Sequence, residues 1–72
     1  DGTVSLGSTV TVADEFGETV YIVVGAHEAD PTAGRLSHQS PVGRALLGKR
    51  AGDSVTVQTP GGGRQVRLVM VG

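Results

Sequence analysis

The chain has 72 residues, of which 38% are apolar with valine the commonest, and a net charge of −1. That is enough for one small domain with one thin core, where burial only narrowly outweighs chain entropy. With no cysteine there is no disulfide framework and no thiolate metal site, and no apolar run approaches the ~18–20 residues of a membrane span or the core of a signal peptide.

From those exclusions the expectation is a soluble, cytoplasmic, monomeric domain with no membrane partner. It begins at Asp1 rather than Met, as a piece of a longer protein would. The charge is unevenly laid out. Residues 1–34 carry Asp1, Asp14, Glu15, Glu18, Glu28 and Asp30 with no Lys or Arg, whereas residues 35–72 carry Arg35, Arg44, Lys49, Arg50, Arg64 and Arg67 against Asp53 alone. Such asymmetry either marks a charged partner surface or disappears in space when the two halves interleave in one sheet.

Val4-Ser5-Leu6 leads into Ser8-Thr9-Val10-Thr11-Val12-Ala13, whose alternation predicts a strand buried through Val10 and Val12. Asp14-Glu15-Phe16-Gly17-Glu18 supplies turn residues, and Thr19-Val20-Tyr21-Ile22-Val23-Val24 is β-branched or aromatic throughout, so the pair predicts a hairpin. Gly25 to Gly34 has no sustained period and is expected to be loop; Arg35-Leu36-Ser37-His38 is a short strand candidate.

Ser40-Pro41-Val42-Gly43-Arg44-Ala45-Leu46-Leu47-Gly48-Lys49 predicts a helix of about two turns, with Ser40 as N-cap and Pro41 in the first helical position. Val42, Ala45 and Leu46 share its apolar face, and Gly48 ends it. So short a helix must be pinned by packing. Ala51-Gly52-Asp53 turns into Ser54-Val55-Thr56-Val57-Gln58, with Val55 and Val57 inward. Thr59-Pro60-Gly61-Gly62-Gly63 makes a hairpin loop, and Gln65 to Val71 closes the sheet with Val66, Leu68 and Met70 inward. Four or five strands around one short helix predict an α+β domain with a mostly antiparallel sheet.

Catalytic and ligand motifs are poorly served. Gly61-Gly62-Gly63 lies between two strands instead of before a helix, so it does not make a phosphate loop. His27, Glu28, Asp30 and His38 lack metal-ligand spacing and cysteine partners. Ser37 and Ser40 flank His38 without the elbow of a serine nucleophile. Asp14, Glu15 and Glu18 sit in a turn, a solvated setting ill suited to acid–base work. Base stacking has only Phe16 and Tyr21 to draw on, and Arg44, Lys49 and Arg50 make no extended basic track, so sequence-specific nucleic-acid binding is not expected. No enzyme activity, cofactor or metal is expected. What stands out is a binding corner, His38-Gln39-Ser40-Pro41 entering the helix with Arg44 one turn on, where free backbone N–H groups suit an acidic or polar partner group.

Leu6-Gly7-Ser8-Thr9-Val10-Thr11-Val12, Val24-Gly25-Ala26-His27-Glu28-Ala29-Asp30, the string S-P-x-x-R-A-L-x-G-K-x-x-G-D from Ser40 to Asp53, and Thr59-Pro60-Gly61-Gly62 fall in the order seen in the C-terminal domain of bacterial GreA/GreB transcript-cleavage factors, which the chain resembles from about Val4 to Val71. The resemblance implies an FKBP-like α+β fold over residues 1–72. It also implies docking on RNA polymerase, at the secondary-channel rim on a coiled coil of the β′ subunit, with Gln39, Ser40 and Pro41 as the contact and His38 and Arg44 beside them. Gln39 stands where the family usually has Asn or Asp, which changes reach and capping geometry. In that family an N-terminal coiled coil carries acidic residues that help hold Mg²⁺ in the polymerase active site. No heptads are present in these residues, so this stretch does not itself supply that chemistry. The parent of such a domain is a cleavage factor, a homologue that inhibits polymerase from the same site, or a Rnk-like regulator. Peptidyl-prolyl isomerase activity is a weaker alternative, because one Phe and one Tyr do not furnish an aromatic-lined proline cleft.

Overall fold

The computed structural model describes residues 2–59 and 61–72. Asp1, one of the acidic residues counted above, and Pro60, of the expected hairpin loop, lie outside the described residues. Five strands, β1 (Thr9–Asp14), β2 (Gly17–Val24), β3 (Arg35–Ser37), β4 (Ser54–Thr59) and β5 (Gly62–Val71), form one sheet in the order β3-β2-β1-β5-β4. Among the described residues a single α-helix, α1 (Pro41–Leu46), lies between β3 and β4 in the chain. Three of the strand pairings are antiparallel, and β3 runs parallel to β2.

Alternation places the core. Val10 and Val12 of β1, Val23 of β2, Leu36 of β3, Val55 and Val57 of β4 and Val66 and Leu68 of β5 turn to one face, where they meet Leu46 of α1 and Val4 from the leading segment. Tyr21, Val42, Ala45 and Val71 pack around this cluster. Val42, Ala45 and Leu46 therefore share the inward face of α1, as their spacing predicts.

Met70 does not. The alternation expected it beside Val66 and Leu68, but it is 60% exposed. The cause is a bulge: Thr11 pairs with Met70 and Val12 with Leu68, leaving Val69 as an extra residue on β5. Beyond it the strand's phase reverses, so Met70 points out and Val71, paired with Val10, takes the inward place.

The stretch 25–34, expected as plain loop, contains two short 3₁₀ turns, Ala26–Glu28 and Pro31–Ala33. The five-residue loop expected at 59–63 shortens because the β4–β5 ladder continues out to Thr59 opposite Gly62. Gly48 ends the helix as its place in the pattern predicts. Leu47 leaves helical geometry (φ −56°, ψ 132°) and Gly48 takes φ +79°, a left-handed conformation that favours glycine. The reversal lets Gly48 N–H donate to Val4 O (2.9 Å) and Lys49 O accept from Val4 N–H (2.9 Å), which clips the leading segment to the helix exit.

Candidate functional site

Two strands fix the corner that precedes α1. The parallel pairing of Val24 with Ser37 sets its start, and His38 N–H donates to Val24 O at 2.9 Å while His38 Nδ1 lies 3.3 Å from the same carbonyl. Gln39 N–H donates to Ser37 Oγ (3.0 Å). Ser40 works in both directions: its hydroxyl donates to Ser37 O (2.7 Å) and accepts from Gly43 N–H (3.0 Å). With Ser40 extended (φ −70°, ψ 159°) and Arg44 N–H donating to Ser40 O at 2.8 Å, this is a complete N-cap, and Pro41 stands at the start of the helix.

These bonds decide what is presented. Gln39, Pro41 and Arg44 are exposed, whereas His38 and Ser40 are half-buried and hold the corner from within. Gly43 is buried, and a Cβ built there would lie 2.1 Å from Ser37 O. The helix can therefore sit this close to β3 only because position 43 has no side chain. The structure thus brings all five sequence-predicted residues to one corner, with three side chains outward and two as supports.

Beyond Arg44 the surface continues into a shallow groove lined by Leu47 and Lys49 on the helix side and by Ser54, Val55 and Thr56 of β4. Sequence reading grouped Arg44 and Lys49 as a basic stretch, but no local pattern ties them to β4. The charge halves do meet elsewhere: Arg64 of β5 pairs with Asp14 of β1, and its guanidinium lies 6.0 Å from the centre of the Phe16 ring. Phe16 is 82% exposed and Tyr21 packs against the core, so neither forms an aromatic-lined cleft. Among the described residues no three His, Cys, Asp or Glu side chains converge on a metal position, and no helix is long and apolar enough to cross a membrane.

Two carboxyls are held below their ordinary range. Phe16 N–H, donating to Asp14 Oδ1 at 2.8 Å, is the main cause for Asp14, with Arg64 adding to it. For Asp30 the main cause is Thr32, whose hydroxyl donates to Oδ1 at 2.6 Å. A carboxyl whose folded pKa is depressed binds its proton more readily once unfolded, so its contribution is present above the unfolded value and is lost as pH falls through the folded one. Thermal melts are therefore expected to show Tm falling as pH drops below the ordinary carboxylate value of about 4. Asp14→Asn should flatten part of that slope, and an unchanged slope would remove Asp14 from the account.

A five-stranded curled sheet around one short helix, with its corner presented by β3 and α1, is an α+β fold of the FKBP-like kind. The family model for the C-terminal domain of transcription elongation factors GreA and GreB matches residues 1–72. Transcription elongation factor GreA of Rhodospirillum rubrum is 54% identical over 71 residues, covering 96% of this chain and 45% of that protein. GreA of Thermomicrobium roseum is 52% identical over 68 residues, covering 94% and 44%. Among solved structures, the GreA factor homolog 1 protein of Thermus thermophilus superposes with a TM-score of 0.82 at 36% identity, covering 97% of this chain and 48% of that one. The chain belongs to the GreA/GreB C-terminal-domain family of bacterial transcription elongation factors. It spans less than half the length of these relatives.

Proposed function

We propose that this domain is the non-catalytic, polymerase-docking part of a GreA-type elongation factor in the cytoplasm. Gln39, Ser40 and Pro41, with His38 and Arg44 beside them, would seat a monomer at the secondary-channel rim of RNA polymerase, on the β′ coiled coil, and so position an N-terminal coiled coil. No cofactor takes part. The observation that carries this reading is the capped corner itself, which keeps Gln39, Pro41 and Arg44 outward on a main chain already tied by hydrogen bonds. A surface ordered before contact loses little conformational freedom on binding.

A second reading is a Gre-like homologue that docks at the same site and inhibits polymerase; the likeness to a protein named a GreA factor homolog, not GreA itself, keeps it in view. The higher identity to GreA proteins, 54% against 36%, favours the first.

The test is a titration of the chain against core RNA polymerase, with saturable binding expected and no binding ending the proposal. Pro41→Ala separates contact from support. Ser40 keeps its cap bond to Gly43, so stability should fall by less than about 1 kcal/mol. Loss of the exposed ring should weaken docking about tenfold. Melting and binding that decline together would assign Pro41 a structural role.

A further inference from the structure

At the edge of the sheet away from β3, β4 carries backbone groups that no other strand pairs among the described residues. Leu68 N–H donates to Asp53 O at 2.8 Å, which sets the phase of the antiparallel ladder. Val55 and Val57, paired with Val66 and Arg64, turn their N–H and C=O groups to β5, and Ser54 and Thr56 turn theirs outward. Edge strands are ordinarily guarded by brevity, charge, proline or a bulge. Along its six residues, Ser-Val-Thr-Val-Gln-Thr, β4 has no charge and no proline, and its pairing runs without a register shift. The opposite edge is guarded: β3 has three residues and opens on Arg35.

Beside the open edge lies the groove of about 460 Å³ between α1 and β4, flanked by Arg44, Leu47 and Lys49. Both cations are exposed, and among the described residues neither forms an ion pair. An uncharged strand edge next to two unneutralised cations is complementary to an extended chain that carries carboxylates.

We propose that β4 is a docking edge for an extended acidic segment of a partner protein, which adds as a sixth strand beside Thr56 and sets its carboxylates against Arg44 and Lys49. A second copy of this chain fits less well, because antiparallel self-pairing through β4 would line both copies' Arg44 and Lys49 along one seam. The edge lies beyond the Gln39-Ser40-Pro41 corner and shares only Arg44 with the proposed docking site, so peptide binding by the free chain is read without polymerase.

The test titrates the isotope-labelled chain with a short blocked peptide alternating glutamate and valine, followed by NMR. Saturable shifts are expected at the Ser54 and Thr56 amides, with slowed solvent exchange at Thr56. The same peptide with lysine for glutamate, or with fully N-methylated amides, should not bind. Arg44→Glu with Lys49→Glu should weaken binding about tenfold, since two attractive pairs become repulsive. Thr56→Pro removes the outward donor while sparing the bonds to β5, so it should lose the peptide and keep its circular-dichroism spectrum. Should that variant not fold, the N-methylated peptide makes the same distinction. Equal binding of the lysine peptide, indifference to N-methylation, no binding of the acidic peptide, or a concentration-dependent dimer that Thr56→Pro abolishes would each overturn the proposal, and none of these results bears on polymerase docking.

Discussion

Gly43→Ala is expected to cost about 3 kcal/mol, although the same change in an open helix gains about 1 kcal/mol. The new methyl would meet only main chain: Ser37 O at 2.1 Å, Ser37 C at 3.0 Å and His38 Cα at 3.1 Å. Neither side has slack. Ser37 is paired to Val24 in the sheet, and its carbonyl already accepts from Ser40 N–H and Ser40 Oγ–H. Separating helix and strand to ordinary contact would break the cap and tilt Pro41 and Arg44 away together. Thermal melting should show Tm lower by roughly 10–20 °C for a domain of this size. A Tm at or above that of the parent chain would show that α1 has room to move, and with it the corner.

Leu46→Ala should have an effect of similar size by a different route. Leu46 is fully buried at the centre of the core, the contact that fastens α1 onto the sheet. Truncating it removes apolar burial and leaves a hole, together about 3 kcal/mol. A domain of 72 residues has only about 4–11 kcal/mol in all. Denaturant unfolding should thus show a much lower midpoint with the slope retained. The adjacent Leu47→Ala is the control: Leu47 is 36% exposed, and the loss there should stay near 0.5 kcal/mol, roughly the surface norm. Equal losses at 46 and 47 would mean that the helix is not anchored as its burial indicates.

Much of this core is written in local alternation. Val10 and Val12, or Val55 and Val57, face inward because a two-residue period leaves them no other side, and Leu46 follows from the helical spacing with Val42 and Ala45. The Ser40-Pro41 cap is likewise a local matter, settled by a hydroxyl and a ring. Met70 was illegible for the opposite reason. Whether it faces in or out depends on the bulge at Val69, which exists only in the register between β5 and β1, strands far apart in the chain. The same holds for the parallel pairing of β3 with β2 and for the bonds that tie Gly48 and Lys49 to Val4. At the corner, residue types pointed to His38, Gln39, Ser40, Pro41 and Arg44. Only the fold shows that Gly43 must lack a side chain and that Lys49 shares a groove with Thr56.

The place of β5 bears on how the chain is made. It is synthesised after every other strand, yet it lies between β1 and β4. Until it leaves the ribosome, β1 and β4 have no ladder between them, and the two parts of the core are joined through the contacts of α1 with β3 and of Val4 with Gly48 and Lys49. Closure then joins positions as distant as Val10 and Val71 in one late step, so a nascent chain stalled before Gly62 should engage chaperones as a three-stranded sheet and a lone β4, each open on the edge that β5 will fill.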